Sequence, residues 1–272
     1  MAIRCHILLL TVFAAAGPAH AQITFSERAA EAGILTTAGA RGVSVFDFDR
    51  DGLDDITLGM DGRRPALFVN RGDGTFEDVS ADFGLELSAL QVMPIWVNID
   101  NDDDDELFLA SRFGPNKLYM RGENGSWSDR AADFGLDASA RLGSATFGDF
   151  DSDGFLDLFM AVDQDADLLY RNAVGSSFED VTGAASTSGP EHSVAMQSTW
   201  IDFDLDADLE LFAVHDGTAH PSRLHINQGF LPMYDQATGR GIDDVGAGNS
   251  MGIAWGDPDL NGYPDAYVTR ID

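Results

Sequence analysis

One acidic nine-residue segment recurs five times along the 272-residue chain. A recurrence at a fixed step constrains the fold more than any other feature, because each copy must be one structural unit packed against its neighbours. The segment reads DFDRDGLDD at Asp47–Asp55, NIDNDDDDE at Asn98–Glu106, DFDSDGFLD at Asp149–Asp157, DFDLDADLE at Asp202–Glu210 and DPDLNGYPD at Asp257–Asp265. The starts lie 51, 51, 53 and 55 residues apart. Other columns keep the same step. An aromatic or His slot holds Phe68, Tyr119, Tyr170 and His225, followed two residues on by Asn70, Arg121, Asn172 and Asn227. Phe76, Trp127 and Phe178 share a further column, and the repeat ends in DFGL at Asp82–Leu85 and Asp133–Leu136.

Within one repeat, short alternating apolar runs separated by Asp, Gly and Asn read as four β-strands. In the third repeat they fall near Ser144–Phe147, Leu156–Ala161, Leu168–Arg171 and Ser177–Val181. Four strands per roughly 50 residues is a propeller blade. The fold expected is therefore all-β, a β-propeller of four-stranded blades. Residues 36–86, 87–137, 138–187 and 188–242 form four blades, and 243–272 begin a fifth. Stepping back 51 residues from Phe76, Gly84 and Leu85 reaches Phe25, Gly33 and Ile34. Residues 22–35 thus look like the tail of a repeat, and are expected to close the ring by completing its final blade. Four and a half blades do not close a ring, so the chain is expected to be part of a longer one.

The chain carries 16 Lys+Arg against 46 Asp+Glu, a formal charge of −30. Nucleic acid and anionic membrane surfaces need a basic patch and are disfavoured as partners. The 44% hydrophobic content is that of a folded protein and not of an acidic disordered tail. Residues 1–21 read as a secretory signal: Arg4, then an apolar run from Ile7 to Ala16, then Ala19-His20-Ala21 as a cleavage site, leaving Gln22 first. The alternative, an N-terminal membrane anchor, has too short an apolar run to span a bilayer. After cleavage there is no transmembrane segment to expect. The single cysteine, Cys5, lies in the leader, so the mature chain has no disulfide and something else must hold its loops.

The five loops hold 23 of the 46 acidic residues. Carboxylates at positions 1, 3, 5 and 9, with a carbonyl at 7, can wrap one hard cation in oxygen. Ca²⁺ accepts such flexible cages, whereas Zn²⁺ prefers His and Cys, which the loops lack. Gly at position 6 permits a sharp turn. Solvated acidic hairpin turns are the alternative, since Asp and Gly favour turns in any case. Five loops in register weigh against it, because so many unneutralised carboxylates repel one another. An EF-hand is excluded: its Glu at position 12 is replaced by Leu58, Leu109, Met160, Ala213 and Val268. Loops 47–55, 149–157 and 257–265 match best. The other two have Asp103 and Ala207 in place of Gly and end in Glu106 and Glu210.

The D-x-D-x-D-G-x-x-D loop after a short strand ending in Phe147-Gly148 or Trp255-Gly256 resembles the FG-GAP/VCBS repeat of calcium-binding, integrin α-like propellers. The segments LFVNRGDGTFEDVSADFGL (Leu67–Leu85) and FEDVTGAAS (Phe178–Ser186) resemble more specifically the cartilage acidic protein family, which usually carries an ASPIC/UnbV domain after its propeller. The resemblance implies seven blades in the complete protein and calcium loops on one rim. By position it implies as ligands Asp47, Asp49, Asp51 and Asp55; Asn98, Asp100, Asp102 and Glu106; Asp149, Asp151, Asp153 and Asp157; Asp202, Asp204, Asp206 and Glu210; and Asp257, Asp259, Asn261 and Asp265.

The mature chain has four histidines, all between His192 and His225. His192 precedes the first strand of the fourth blade and His215 and His220 are expected in the loop after its second strand, so with Asp216 they fall near the rim opposite the acidic loops. There they could form a metal or acid–base site, unless they are scattered surface residues and His225 merely fills the aromatic slot. Two functions follow. The first is an exported, non-enzymatic adhesion or recognition module for a protein or glycan, with Ca²⁺ stabilising the loops. The alternative is a secreted hydrolase or lyase acting on polysaccharide through those histidines.

Overall fold

A computed structural model describes residues 8–9, 25–35, 39–85, 91–187, 194–216, 222–242 and 249–271. The chain is all-β. Blade 1 comprises Ala40–Phe46, Asp55–Met60, Ala66–Asn70 and Phe76–Asp78; blade 2 comprises Gln91–Val97, Glu106–Ser111, Lys117–Arg121 and Trp127–Asp129. Blade 3 comprises Leu142–Gly148, Asp157–Val162, Leu168–Asn172 and Phe178–Asp180; blade 4 comprises Val194–Ile201, Glu210–Asp216, Arg223–Ile226 and Tyr234–Asp235. Asn249–Gly256 and Asp265–Ile271 pair as a further two-stranded sheet. Strand order follows chain order in every sheet, the meander of a propeller blade.

The second strand of each blade is buried along its whole length or nearly so. It has sheet neighbours on both edges and side chains covered on both faces. That is why ITLGM, LFLAS, LFMAV and LFAVH read as continuous apolar runs and do not alternate.

The chain divides into two compact units, 1–94 and 95–272. In the first, residues 25–35 lie against blade 1. Ala32 and Ile34 join Ile56, Leu58, Met60 and Phe68 in one buried cluster, and the Phe76 N–H donates to the Ala32 carbonyl at 2.8 Å. Gly33 is required there: its φ is +82°, and a Cβ would stand 2.7 Å from the Phe76 carbonyl oxygen. The second unit repeats this relation. The Met233 N–H in blade 4 donates to the Ala185 carbonyl at 3.0 Å, and a Cβ on Gly135 would stand 3.3 Å from the Phe178 carbonyl oxygen of blade 3. The tail of each such repeat therefore packs on the blade that follows it. Residues 1–21, read as an export signal, lie outside the described residues except for the backbone of Leu8–Leu9, which pairs with Ser26–Glu27.

In the second unit, blades 3 and 4 meet face to face. Phe150, Phe159, Leu169 and Val181 of blade 3 pack against Ala195, Leu211, Ala213 and Met233 of blade 4, and the Ser144 and Ser198 hydroxyls bond at 2.6 Å. The approach is close enough that a Cβ at Gly143 would lie 1.9 Å from the Ala195 carbonyl oxygen. Both partners are backbone and cannot step aside, so Gly143→Ala should cost about 3 kcal/mol. Urea midpoints of the two proteins check this; equal midpoints would mean the blades are not so tightly apposed.

Candidate metal centres

Each acidic loop joins the first strand of a blade to the second, and its own backbone folds around its first side chain. In four loops the position-1 carboxylate accepts the N–H groups of positions 5 and 6: Asp47 from Asp51 and Gly52, Asp149 from Asp153 and Gly154, Asp202 from Asp206 and Ala207, Asp257 from Asn261 and Gly262, all at 2.9–3.1 Å. In the second loop Asn98 cannot accept in this way with its amide nitrogen, and that nitrogen donates to the Asp102 carbonyl instead at 2.8 Å.

Position 9 opens the buried second strand, and its carboxylate is buried with it. Asp55, Glu106, Asp157 and Glu210 are all at most 1% exposed. Each accepts the N–H of position 2 of its own loop, at 2.9 Å from Ile99 to Glu106 and 3.0 Å from Phe150 to Asp157. Burial pushes Glu106 up to about 8 and Asp157 to about 7, with neighbouring aspartates adding to it. Glu210 rises to about 7 for the same reasons, in the same order. Burial also raises Asp55, Asp100, Asp151 and Asp204 above the usual carboxylate range. Glu210 Oε1 and Asp151 Oδ1 are buried without a hydrogen-bond partner.

These oxygens converge. Asp47, Asp49 and Asp55; Asp100, Asp102 and Glu106; Asp149, Asp151 and Asp157; Asp202, Asp204 and Asp206; and Asp257, Asp259 and Asp265 each bring three ligand oxygens within 4.8 Å of one another. The donor set is all oxygen and carries three carboxylates, which suits a hard divalent cation. Of the residues singled out by sequence, Asp51, Asp153 and Asn261 stand outside these triads; their side chains accept the N–H of position 7 at 2.8–2.9 Å. Glu210 and Asn98 also stand outside.

Two backbone features differ from expectation. Position 6 is left-handed in four loops, with Ala207 at φ +77°, but Asp103 avoids that region. Position 4, which no sequence signal marks, is left-handed in all five loops: Arg50, Asn101, Ser152, Leu205 and Leu260. Ala207 is strained where its counterparts are Gly, so Ala207→Gly should stabilise the metal-free chain by about 1 kcal/mol. An unchanged or lower denaturation midpoint would show that the loop relaxes around the alanine.

The histidine grouping does not form as expected. His215 is not in a loop but in the strand Glu210–Asp216, and it is buried with its Nε2 3.1 Å from Asp167 Oδ2 of blade 3. A group sealed between blades cannot serve an exposed acid–base site. His225 fills the aromatic slot, and burial lowers it to about 4. His192 and His220 lie outside the described residues.

Residues 98–160 and 149–213, which hold the second, third and fourth loops, match the FG-GAP-like repeat. The chain carries FG-GAP-like repeats. It is 28% identical over 216 residues to Cartilage acidic protein 1 of Homo sapiens, a match that takes in 74% of this chain and 32% of that protein. Among solved structures, a lectin of Agrocybe aegerita that recognises non-reducing terminal N-acetylglucosamine superposes with a TM-score of 0.51 at 18% identity, over 89% of this chain and 63% of the lectin. The chain thus spans about a third of the length of the human relative. The lectin likeness is one of fold alone.

Proposed function

We propose that the chain is an exported, calcium-stabilised recognition module that binds a protein or glycan partner without catalysing a reaction. One observation carries the calcium part: in the first three loops a carboxylate buried at position 9 converges with two more acidic side chains, and the charges acting on Glu106 are all negative. A cation in each triad neutralises them. Asp47, Asp49 and Asp55 would hold it in the first loop, Asp149, Asp151 and Asp157 in the third, and Asp257, Asp259 and Asp265 in the fifth. Asp51, Asp153 and Asn261 would support it from position 5. Bound calcium supplies positive charge and rigidity to loops that have no disulfide to shape them. No helix among the described residues is long and apolar enough to cross a membrane. The leader-like residues 1–21 support export, and N-terminal sequencing of the secreted protein should begin at Gln22.

Equilibrium dialysis against calcium tests the central claim. Folded protein should take up at least three ions per chain, weakly, in the range of extracellular modules at about 10⁻⁴–10⁻³ M. Asp151→Asn combined with Asp157→Asn should remove one of them. A folded chain that takes up no calcium would end the reading.

A further inference from the structure

We propose that the second compact unit carries a binding site for a singly charged acidic sugar, built from Arg112, Phe113 and Arg141 on the rim opposite its acidic loops. The proposal rests on the recognition reading above and gives it a place and a ligand class.

Topology brings the residues together. Arg112 and Phe113 directly follow the second strand of blade 2, Arg141 directly precedes the first strand of blade 3, and Asp163 directly follows its second strand. The acidic loops join the opposite ends of these same strands. Asp163 is buried, its side chain 2% exposed; its Oδ2 accepts from Arg112 Nη2 at 3.0 Å and pairs ionically with Arg141 Nη2 at 3.1 Å. The Asp163 N–H also donates to the Arg141 carbonyl at 2.6 Å. One buried carboxylate therefore fixes two guanidinium groups from neighbouring blades.

Beside both stands the ring of Phe113, which is 46% exposed. The Arg141 and Arg112 guanidinium carbons lie 5.4 and 6.0 Å from the Phe113 centroid. Each guanidinium has five N–H donors in a planar fork, and one nitrogen of each is committed to Asp163. The arginine side chains remain 39% and 44% exposed, so donors are open to a ligand. An apolar ring beside oriented, already immobilised donors suits a small ligand with one planar anionic group and an apolar face.

Charge and shape narrow the class. Two guanidiniums less one carboxylate leave a single positive charge, in a chain whose formal charge is −30. A dense polyanion would be repelled by the whole, whereas one carboxylate can be held locally. The second strand of blade 2 is flanked by the first and third strands, so an extended peptide finds no open strand edge there. A compact ring bearing one carboxylate, such as a hexuronate, fits better than an acidic peptide.

Titration of the full chain in calcium with methyl glucuronide, methyl glucoside and a glutamate-containing tripeptide, followed by calorimetry, tests this. The glucuronide should bind at least about tenfold more tightly than the glucoside. Phe113→Ala should lose about tenfold, as should a triple variant, Arg112→Gln, Arg141→Gln and Asp163→Asn, which leaves no buried carboxylate unpaired. Equal binding of glucuronide and glucoside, glucuronide binding untouched in both variants, or a tripeptide bound as tightly as the glucuronide would overturn the proposal. Neutral-glycan binding insensitive to the triple variant would overturn this site and leave the recognition reading standing. Calcium uptake with none of the three probes bound would remove the site alone.

Discussion

Near pH 8, the chain in about 5 mM calcium should unfold about 10 °C above the same chain in excess EDTA, and the gap should shrink as the pH falls toward 5. The size follows from mass action. A site with a dissociation constant of about 10⁻⁴–10⁻³ M contributes roughly 1–2 kcal/mol at that concentration, and several sites add. The pH dependence follows from Glu106, raised to about 8, and from Asp157 and Glu210, raised to about 7. Between the ordinary carboxylate range and these values, the metal-free native chain holds protons that the unfolded chain has released. Its stability is therefore present in full below that window and is lost as pH rises through it. After relaxation and solvent entry the three groups together are worth on the order of 4 kcal/mol. Calcium competes with the same protons, so its contribution grows with pH. Metal-free and calcium-loaded chains should show opposite trends. Asp157→Asn removes one buried charge and should flatten the metal-free trend while lowering the calcium gain. A metal-free chain more stable at pH 8 than at pH 5, or a calcium gain that ignores pH, would sink the account.

Blade number within the described region, strand order and the position of every acidic loop were legible because each rests on a local signal repeated at a fixed step. Asp47, Asp149 and Asp257 recur with their glycines, and a turn that closes on its own first residue needs nothing from the rest of the fold. What was illegible depends on neighbours. Position 4 takes a left-handed conformation whether it is Arg50, Ser152 or Leu260, since the loop backbone dictates it and the side chain does not. His215 looked like a loop residue because Asp216 and Gly217 follow it directly in the sequence, yet the strand runs on to Asp216 and blade 3 seals it with Asp167. The export-signal segment and the closing of a ring by residues 22–35 rest on sequence pattern alone.

The asparagine column shows how a legible pattern can hide its purpose, and it leads to the second large effect expected. Asn172 is 1% exposed, and its amide nitrogen donates to the Leu156 carbonyl of its own loop at 3.1 Å and to the Ile99 carbonyl of the preceding blade's loop at 2.7 Å. Its amide oxygen accepts from Gly175 at 2.8 Å, and its backbone N–H reaches Asp157 Oδ1 at 2.7 Å. Asn227 does the same one blade on, to Leu209 and to Phe150. This side chain thus links two acidic loops, through the position-8 carbonyl of its own loop and the position-2 carbonyl of the preceding one, while Asn101 adds a bond to the Gly154 carbonyl at 2.8 Å. Asn172→Ala leaves two carbonyls and an N–H without their partner. At 1–3 kcal/mol for each unsatisfied buried group, less where water enters, the loss is about 3–5 kcal/mol, or about 10 °C in midpoint. Asn70 occupies the same column in blade 1, but its amide donates to Asp54 at an exposed site, so Asn70→Ala should cost only about 1 kcal/mol. Asn172→Asp should be worse than Asn172→Ala near pH 8, since it keeps the acceptor for Gly175, loses both donated bonds and sets a second carboxylate beside Asp157. Parallel urea titrations of the three variants decide it: equal costs for Asn70→Ala and Asn172→Ala would mean that the loops of blades 2 and 3 stand independently.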